Sequence, residues 1–129
     1  IFLQGVPLIY CGQEVGLSST SVYNGSGPIS WSDNPSMLAA YTELLNFYNS
    51  SAAARKGTLT TYCDRNVVVF QKTSGTEHVL VVVNVRVIDE TYTLPLALQG
   101  VWTDALAGAT ITFGASIPLT PYQYYVLKR

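Results

Sequence analysis

The sequence predicts a mainly β protein: an antiparallel β-sandwich over residues 58–129, preceded in residues 1–57 by a strand, a loop and a helix of α/β type. Three observations carry this. Beyond residue 57 the helical period disappears, and short runs rich in Val, Thr, Tyr and Phe follow one another between turn residues. Before it, the apolar run at 6–11 does not alternate, as expected of a strand covered on both faces in a parallel sheet under helices. Between the two, residues 37–48 carry one apolar stripe at helical spacing.

Taken in order, Ile1-Phe2-Leu3-Gln4 reads as the last turn of a helix, with Gly5 past its end and Pro7 two residues later. The buried strand at 6–11 follows and ends in Gly12-Gln13-Glu14. Residues 17–32 are rich in Ser, Gly, Asn and Thr without a sustained period, so they form a long loop, a type that is more often functional than idle. Asn34 is a good N-cap, and Pro35 sits at the first helical position, where a missing N–H costs nothing. Met37, Leu38, Tyr41, Leu44, Leu45 and Tyr48 then make the stripe. The helix fades at Asn49-Ser50-Ser51 or in the alanines after it, and Gly57 closes the segment.

Strands are expected at 59–62, 67–71, 79–85, 91–94, 110–113 and 123–127, with a hairpin turn at 73–76. Val79-Leu80-Val81-Val82-Val83 is the expected central strand, because only a central strand is apolar on both sides. Pro95, Pro118 and Pro121 belong at strand ends or edges. Strands at this spacing suit a sandwich or barrel. The first 57 residues cannot bury a two-sided strand alone, so they read as a piece of a larger unit.

Composition narrows the function. Of the 129 residues 48% are hydrophobic and 12% charged, against about 25% charged in ordinary soluble chains. Seven Lys and Arg against eight Asp and Glu give a net charge of −1. No basic face is available to collect the phosphates of a nucleic acid or an anionic membrane surface. No apolar run approaches the roughly 18 residues of a membrane span. Cys11 and Cys63 make neither a disulfide framework nor a metal spacing, and are expected as buried free thiols. Nothing here assigns a compartment.

Few residues offer chemistry. Glu43 falls off the helix stripe, and Asp89, Glu90 and Asp104 fall in turns. Glu14 differs, because it stands at the C-terminal end of a buried parallel strand, where α/β barrels place their active sites. It either touches a ligand or holds a structural hydrogen bond. The single histidine, His78, has no nucleophile or second ligand near it in sequence. Trp31, on the polar loop, is a candidate for stacking on a sugar. Trp102 and the cluster Tyr122, Tyr124 and Tyr125 suit either a core or such a platform. Asn24-Gly25-Ser26 and Asn49-Ser50-Ser51 match the glycosylation pattern.

The run Gly5-Val6-Pro7-Leu8-Ile9-Tyr10-Cys11-Gly12-Gln13-Glu14 closely resembles the eighth barrel strand of the α-amylase family, glycoside hydrolase family 13, where Gly-(Val/Ile)-Pro-x-(Ile/Leu)-Tyr-x-Gly-(Gln/Asp)-Glu recurs. Pro28-Ile29-Ser30-Trp31-Ser32-Asp33 resembles the loop and tryptophan before the eighth helix. Tyr41-Thr42-Glu43-Leu44-Leu45 resembles that helix, and Ala54-Arg55-Lys56-Gly57 its exit. Val67-Val68-Val69-Phe70, Val79-Leu80-Val81-Val82-Val83-Asn84 and Ile117-Pro118-Leu119-Thr120-Pro121-Tyr122 resemble the family's Greek-key C-terminal sandwich, domain C. One departure is Leu45-Asn46-Phe47-Tyr48-Asn49, where the family often has Leu-x-x-Leu-Arg.

The resemblance implies a C-terminal fragment, with residues 1–57 a remnant of the (β/α)8 barrel and 58–129 the sandwich. It implies a parent that hydrolyses α-glucans such as starch and maltodextrins with retention, through a nucleophilic Asp, an acid/base Glu and a stabilising Asp. All three would lie upstream of Ile1, as would the family's calcium ligands. This chain is therefore expected to hold no catalytic residue, no metal and no cofactor, and to be structural and inactive alone. Glu14 and Trp31 are its expected substrate-binding residues, on a loop (13–31) that borders the cleft. The rest of the barrel is the expected partner. Without it, residues 6–11 and the stripe Leu38, Tyr41, Leu45 and Tyr48 are expected to repack on the sandwich or to form a homodimer. The alternative is an α-glucan-binding module working by aromatic stacking.

Overall fold

Three layers stack in the computed structural model, which describes residues 1–17 and 28–129: a two-stranded sheet, a six-stranded sheet and a helical layer. The elements are α1 (Pro35–Ser50), α2 (Ala52–Lys56), β1 (Thr58–Thr61), β2 (Val67–Ser74), β3 (Glu77–Asn84), β4 (Glu90–Thr93), β5 (Gly100–Asp104), β6 (Thr110–Phe113), β7 (Ser116–Leu119) and β8 (Tyr124–Lys128). The large sheet runs β1-β2-β3-β8-β5-β6 and the small one pairs β4 with β7, with every pairing antiparallel. After β3 the chain crosses to the small sheet, returns for the β5–β6 hairpin and crosses again for β7. It then inserts β8 between β3 and β5, the long return of a Greek-key sandwich.

Alternation along the strands assigns the two faces of the large sheet. Val67, Val69, Leu80, Val82, Trp102 and Leu127 point toward the small sheet and meet Tyr92, Ile117 and Leu119. Phe70, Val79, Val81 and Val126 point the other way and meet Phe47, Tyr48, Ala53, Ala54 and Phe2. The sheet is thus a shared middle layer, and β3 is buried on both sides from Val79 to Val82, as its unbroken apolar run predicts. The β2–β3 turn falls at 75–76, between the paired Ser74 and Glu77, with Gly75 at φ 60.

The helix start is as predicted: Asn34 Oδ1 accepts the Met37 N–H at 3.0 Å, and Pro35 opens α1. Only part of the predicted stripe is covered. Leu44 and Tyr48 pack on the sheet side together with Phe47, which the stripe did not include, whereas Leu38 toward the N-terminal end stays exposed. Six strands fall where the sequence places them to within a few residues, and two were not foreseen. β5 opens on Gly100 at φ 103, and β7 contains Pro118, so each carries a residue that reads as strand punctuation.

Three expectations are corrected. Ile1-Phe2-Leu3-Gln4 is not a helical turn, although Gly5 takes the positive φ expected there (102°). Residues 6–11 form no strand, and Val6 and Leu8 are 90% and 87% exposed. A strand exists only through hydrogen bonds to a neighbour, and no strand lies beside this segment among the described residues. Cys11 and Cys63 are exposed rather than buried. Cys11 ends that segment. Cys63 sits between β1 and β2, where its Sγ contacts the Val69 carbonyl at 3.3 Å and the Val69 N–H at 3.4 Å. Of the residues expected to repack, Tyr48 is buried while Val6, Leu8 and Leu38 stay exposed; ahead of them, the Phe2 ring lies 5.8 Å from that of Phe47 and 6.3 Å from that of Tyr48.

Candidate functional site

Glu14 stands in a tight 3-10 turn, Gln13–Val15, between two left-handed glycines, Gly12 (φ 86) and Gly16 (φ 67). The turn is fastened internally by Gln13 N–H to Tyr10 O (2.9 Å), Leu17 N–H to Gly12 O (3.0 Å) and Tyr10 N–H to Gln13 Oε1 (3.2 Å). Val15 buries its side chain beneath it. Gly16 lies against the start of α1, where a Cβ would stand 3.1 Å from Met37 Sδ and 3.4 Å from Asn34 Nδ2. The turn is therefore docked on the N-terminal end of α1.

Within it Glu14 is half-buried, and its Oε2 is sequestered from solvent with no hydrogen-bond partner among the described residues. A carboxylate oxygen in that condition keeps an unfilled acceptor, which a bound molecule can reach only once the side chain turns it outward. Trp31 lies at the same end of α1, three residues before the Asn34 cap, and is 51% exposed. The structure thus brings both predicted residues to one end of one helix. Much of the predicted loop (17–32), with Asn24-Gly25-Ser26, falls at 18–27, outside the described residues.

The other aromatic candidates do not assemble. Trp102 is fully buried and donates its indole N–H to Leu98 O at 2.8 Å. Tyr125 packs edge-on against Phe113, with ring centres 5.6 Å apart. Its neighbour Tyr124 points to the opposite face, as strand alternation requires, and Tyr122 projects from the turn before β8 at φ 57. His78 is spent locally, with Nδ1 3.1 Å from Thr73 Oγ1. Among the described residues no group of three or more His, Cys, Asp or Glu comes together to hold a metal ion. No helix among them is long and apolar enough to cross a membrane.

An open groove of about 360 Å³ runs between the N-terminal residues and the sheet, lined by Phe2, Tyr41, Leu44, Phe70, Val83 and Tyr124. A second hollow of about 200 Å³ lies along 3–9, bounded by Gln13 and Tyr41. Exposed apolar lining such as that of the groove ordinarily faces another packed layer.

Two charged residues with structural roles escaped the sequence reading. Glu77 accepts from Ser51 and from the N-terminal end of α2, and Lys72 reaches the carbonyls at the other end of that helix. Burial raises the Glu77 pKa. The Ser51 hydroxyl, the Ala53 and Ala52 N–H groups and the Lys128 charge outweigh that, and hold the carboxyl below the usual glutamate range. Burial pulls the Lys72 ammonium below the usual lysine value. Their partners lie 16 or more positions away in sequence, so no local pattern announces them.

No protein-family model matches the chain. Neopullulanase 2 of Thermoactinomyces vulgaris is 28% identical to it over 134 residues, covering 95% of this chain and 23% of that protein. The chain therefore spans less than a quarter of that curated relative. Among solved structures, AmyP in complex with maltose superposes with a TM-score of 0.68 over 80% of this chain and 23% of that one, at 17% identity. Trehalulose synthase MutB from Pseudomonas mesoacidophila MX-45 superposes with a TM-score of 0.60 over 71% of this chain and 17% of that one, at 22% identity. At such identities the superpositions speak for the fold, while the match to neopullulanase 2 runs over nearly the whole of this chain. By sequence and by fold, the chain resembles a C-terminal fragment of an α-amylase-family enzyme, glycoside hydrolase family 13.

Proposed function

We propose that the chain is the C-terminal part of an α-amylase-like glycoside hydrolase that acts on α-glucans with retention, and that alone it is structural and without turnover. The observation that carries this reading is the uncovered face at 3–9. Val6 and Leu8 stand almost fully exposed within a motif resembling a barrel strand. Such a segment is stable in water only when a neighbouring layer covers it, and the rest of a barrel is the natural cover. The catalytic acids, and any calcium site, belong to that upstream part. Residues 1–57 serve as its closing strand, loop and helix, and residues 58–129 as the sandwich that supports it. Without the barrel, the same face drives association between copies.

In the complete enzyme, the Glu14 side chain turns outward so that its carboxylate accepts a sugar hydroxyl, and Trp31 stacks on a sugar face. Support for the pair is the unpartnered oxygen, the exposed ring and their shared place at the N-terminal end of α1. Neither performs bond cleavage. Two measurements test the reading. The isolated chain, incubated with soluble starch, maltodextrin or pullulan, should release no reducing ends, and turnover would refute the proposal. In the complete enzyme, E14Q and W31A should raise KM several-fold with kcat little changed. Equal kinetics in all three proteins would remove the substrate-binding role. Retarded migration of the isolated chain in amylopectin gels, abolished by W31A, would instead favour the glucan-binding module.

A further inference from the structure

Both ends of α2 are held by the β2–β3 hairpin. At the N-terminal end, Glu77 Oε1 accepts the Ser51 hydroxyl at 2.5 Å and Oε2 accepts the Ala53 N–H at 3.0 Å. Ser51 Oγ in turn accepts the Ala54 N–H at 2.9 Å. At the C-terminal end, the Lys72 ammonium donates to Ala54 O and, at 3.4 Å, to Arg55 O. Negative charge at the start and positive charge at the end of the helix both agree with its dipole. Between them Gly57 runs so close to β2 that a Cβ would stand 2.6 Å from Ala53 O and 2.9 Å from Thr73 N.

Ser51 is the single residue between α1 and α2. Its backbone is extended (φ −101, ψ 123), yet its N–H still bonds Phe47 O at 3.1 Å. The direction of α1 over the sheet is set at this one residue, and Glu77 grips it. Apart from this polar tie, α1 meets the sheet layer through apolar contacts of Leu44, Phe47 and Tyr48. At its far end, roughly 24 Å away for 16 residues, α1 carries the turn of Glu14.

We propose that Glu77 is a titratable latch on the α1–α2 joint. As a carboxylate it holds Ser51 and Ala53 together and fixes α1. When protonated it lets both go, so that α1 and the Glu14 turn loosen as one arm while the six-stranded sheet persists. Charged groups from each packed element bear on it. Lys128 of β8 favours the carboxylate, and Glu43 of α1 shares a groove with Lys128. Arg55 reaches back along α2 to donate its Nε–H to Ser51 O at 3.4 Å, Lys56 lies at the far end of α2, and His78, next to Glu77 on β3, is turned to Thr73 of β2. Because the carboxyl is held below the usual glutamate range, the closed state persists through neutral and mildly acidic pH. It is lost as pH falls through that lowered value.

Amide hydrogen exchange on the full 129-residue chain tests this, independently of any glycosidase activity. Protection factors are read from about pH 7 down to about pH 3, a span that covers carboxylate titration. At neutral pH, E77Q should lower protection in α2 and the last turn of α1 by roughly tenfold or more, with β3 and β8 changed less than about twofold. The acid-dependent fall of α2 protection in the wild type should be absent from E77Q and retained in E43Q and H78N. S51A, which keeps the carboxylate and its bond to Ala53, should loosen α2 partly and keep the acid step. Unchanged α2 protection in E77Q, or the same acid step in E77Q as in the wild type, would overturn the proposal. So would equal loss of protection in α2 and β3 in both E77Q and S51A, since α2 would then open only with the sheet.

Discussion

The guanidinium carbon of Arg129 lies 4.0 Å from the centre of the Trp102 ring, while its Nη2 donates to Ala97 O at 2.9 Å. One side chain thus closes the edge of the sandwich core and ties down the turn before β5. The backbone of Arg129 is fixed as well, exchanging hydrogen bonds with His78 at 2.8 and 3.0 Å. R129A should cost about 1–2 kcal/mol, combining the cation–π contact with a charge-assisted hydrogen bond. R129K should recover less than half of that, because a compact ammonium cannot stack flat and reach Ala97 together. Urea unfolding followed by tryptophan fluorescence measures both. Equal stabilities of R129A and wild type would show that the stacked geometry contributes nothing.

Lys72 is 1% exposed, with its stem packed in the layer between α2 and the sheet. K72A should cost about 3 kcal/mol, leaving a cavity and two unpaired helix carbonyls. K72M fills the space and sheds the buried charge, so it should cost about 1 kcal/mol or less. The sign of the pH effect follows from the lowered pKa. Folding favours neutral Lys72, so the wild type should gain stability relative to K72M as pH rises from the lowered value toward the unfolded lysine value near 10.4. A gap between the two proteins that widens in favour of K72M on raising pH would contradict this.

Asn84 is fully buried and satisfied on both ends of its amide. Nδ2 donates to Ile88 O at 2.8 Å and Thr120 O at 2.9 Å, and Oδ1 accepts the Arg86 N–H at 2.9 Å. N84L should cost about 3–5 kcal/mol, since three backbone groups lose their partner. N84D should be at least as harmful at neutral pH, because it turns a carboxylate oxygen toward two carbonyls. It should recover in part on acidification, when the carboxyl gains a proton to donate. Thermal unfolding at two pH values separates the variants.

Gly57 and Gly114 predict opposite outcomes for one substitution. At Gly57 a Cβ would collide with backbone atoms of both α2 and β2, and backbone cannot move aside without breaking the joint. G57A should cost about 2–3 kcal/mol. At Gly114 nothing lies within 4 Å and φ is not in the left-handed range. G114A should be neutral or stabilise by about 0.5 kcal/mol through the unfolded chain. Denaturant midpoints of the two variants give the comparison directly.

What the residues announced in advance is what depends on near neighbours. Asn34-Pro35 announced the start of α1, and the alternation through Val67 and Val69 announced which face of β2 is inward. Gly100 and Pro118 hid β5 and β7, because local chemistry that usually ends a strand is here accommodated at a strand start and in a two-stranded sheet. α2 is only five residues long, and the charged side chains that hold its two ends come from β2 and β3, so nothing within Ala52–Lys56 foretells it. The run at 6–11 has the apolarity of a covered strand, but apolarity does not say which segment supplies the cover. At the candidate site, Glu14 and Trp31 were legible as positions. The stranded oxygen on Glu14 was not, because it depends on which donors fail to reach it.

A middle sheet with two apolar faces bears on how such chains can be spliced. A junction at Thr58 looks natural, since composition changes there. Yet a graft beginning at that point would carry Phe70, Val79, Val81 and Val126 without the helices that roof them. The module that can be exchanged between related proteins as a stable cassette begins ahead of Pro35, with the joint at Ser51 travelling inside it. Chimeras made at the earlier junction should express in soluble form, and those made at Thr58 should aggregate.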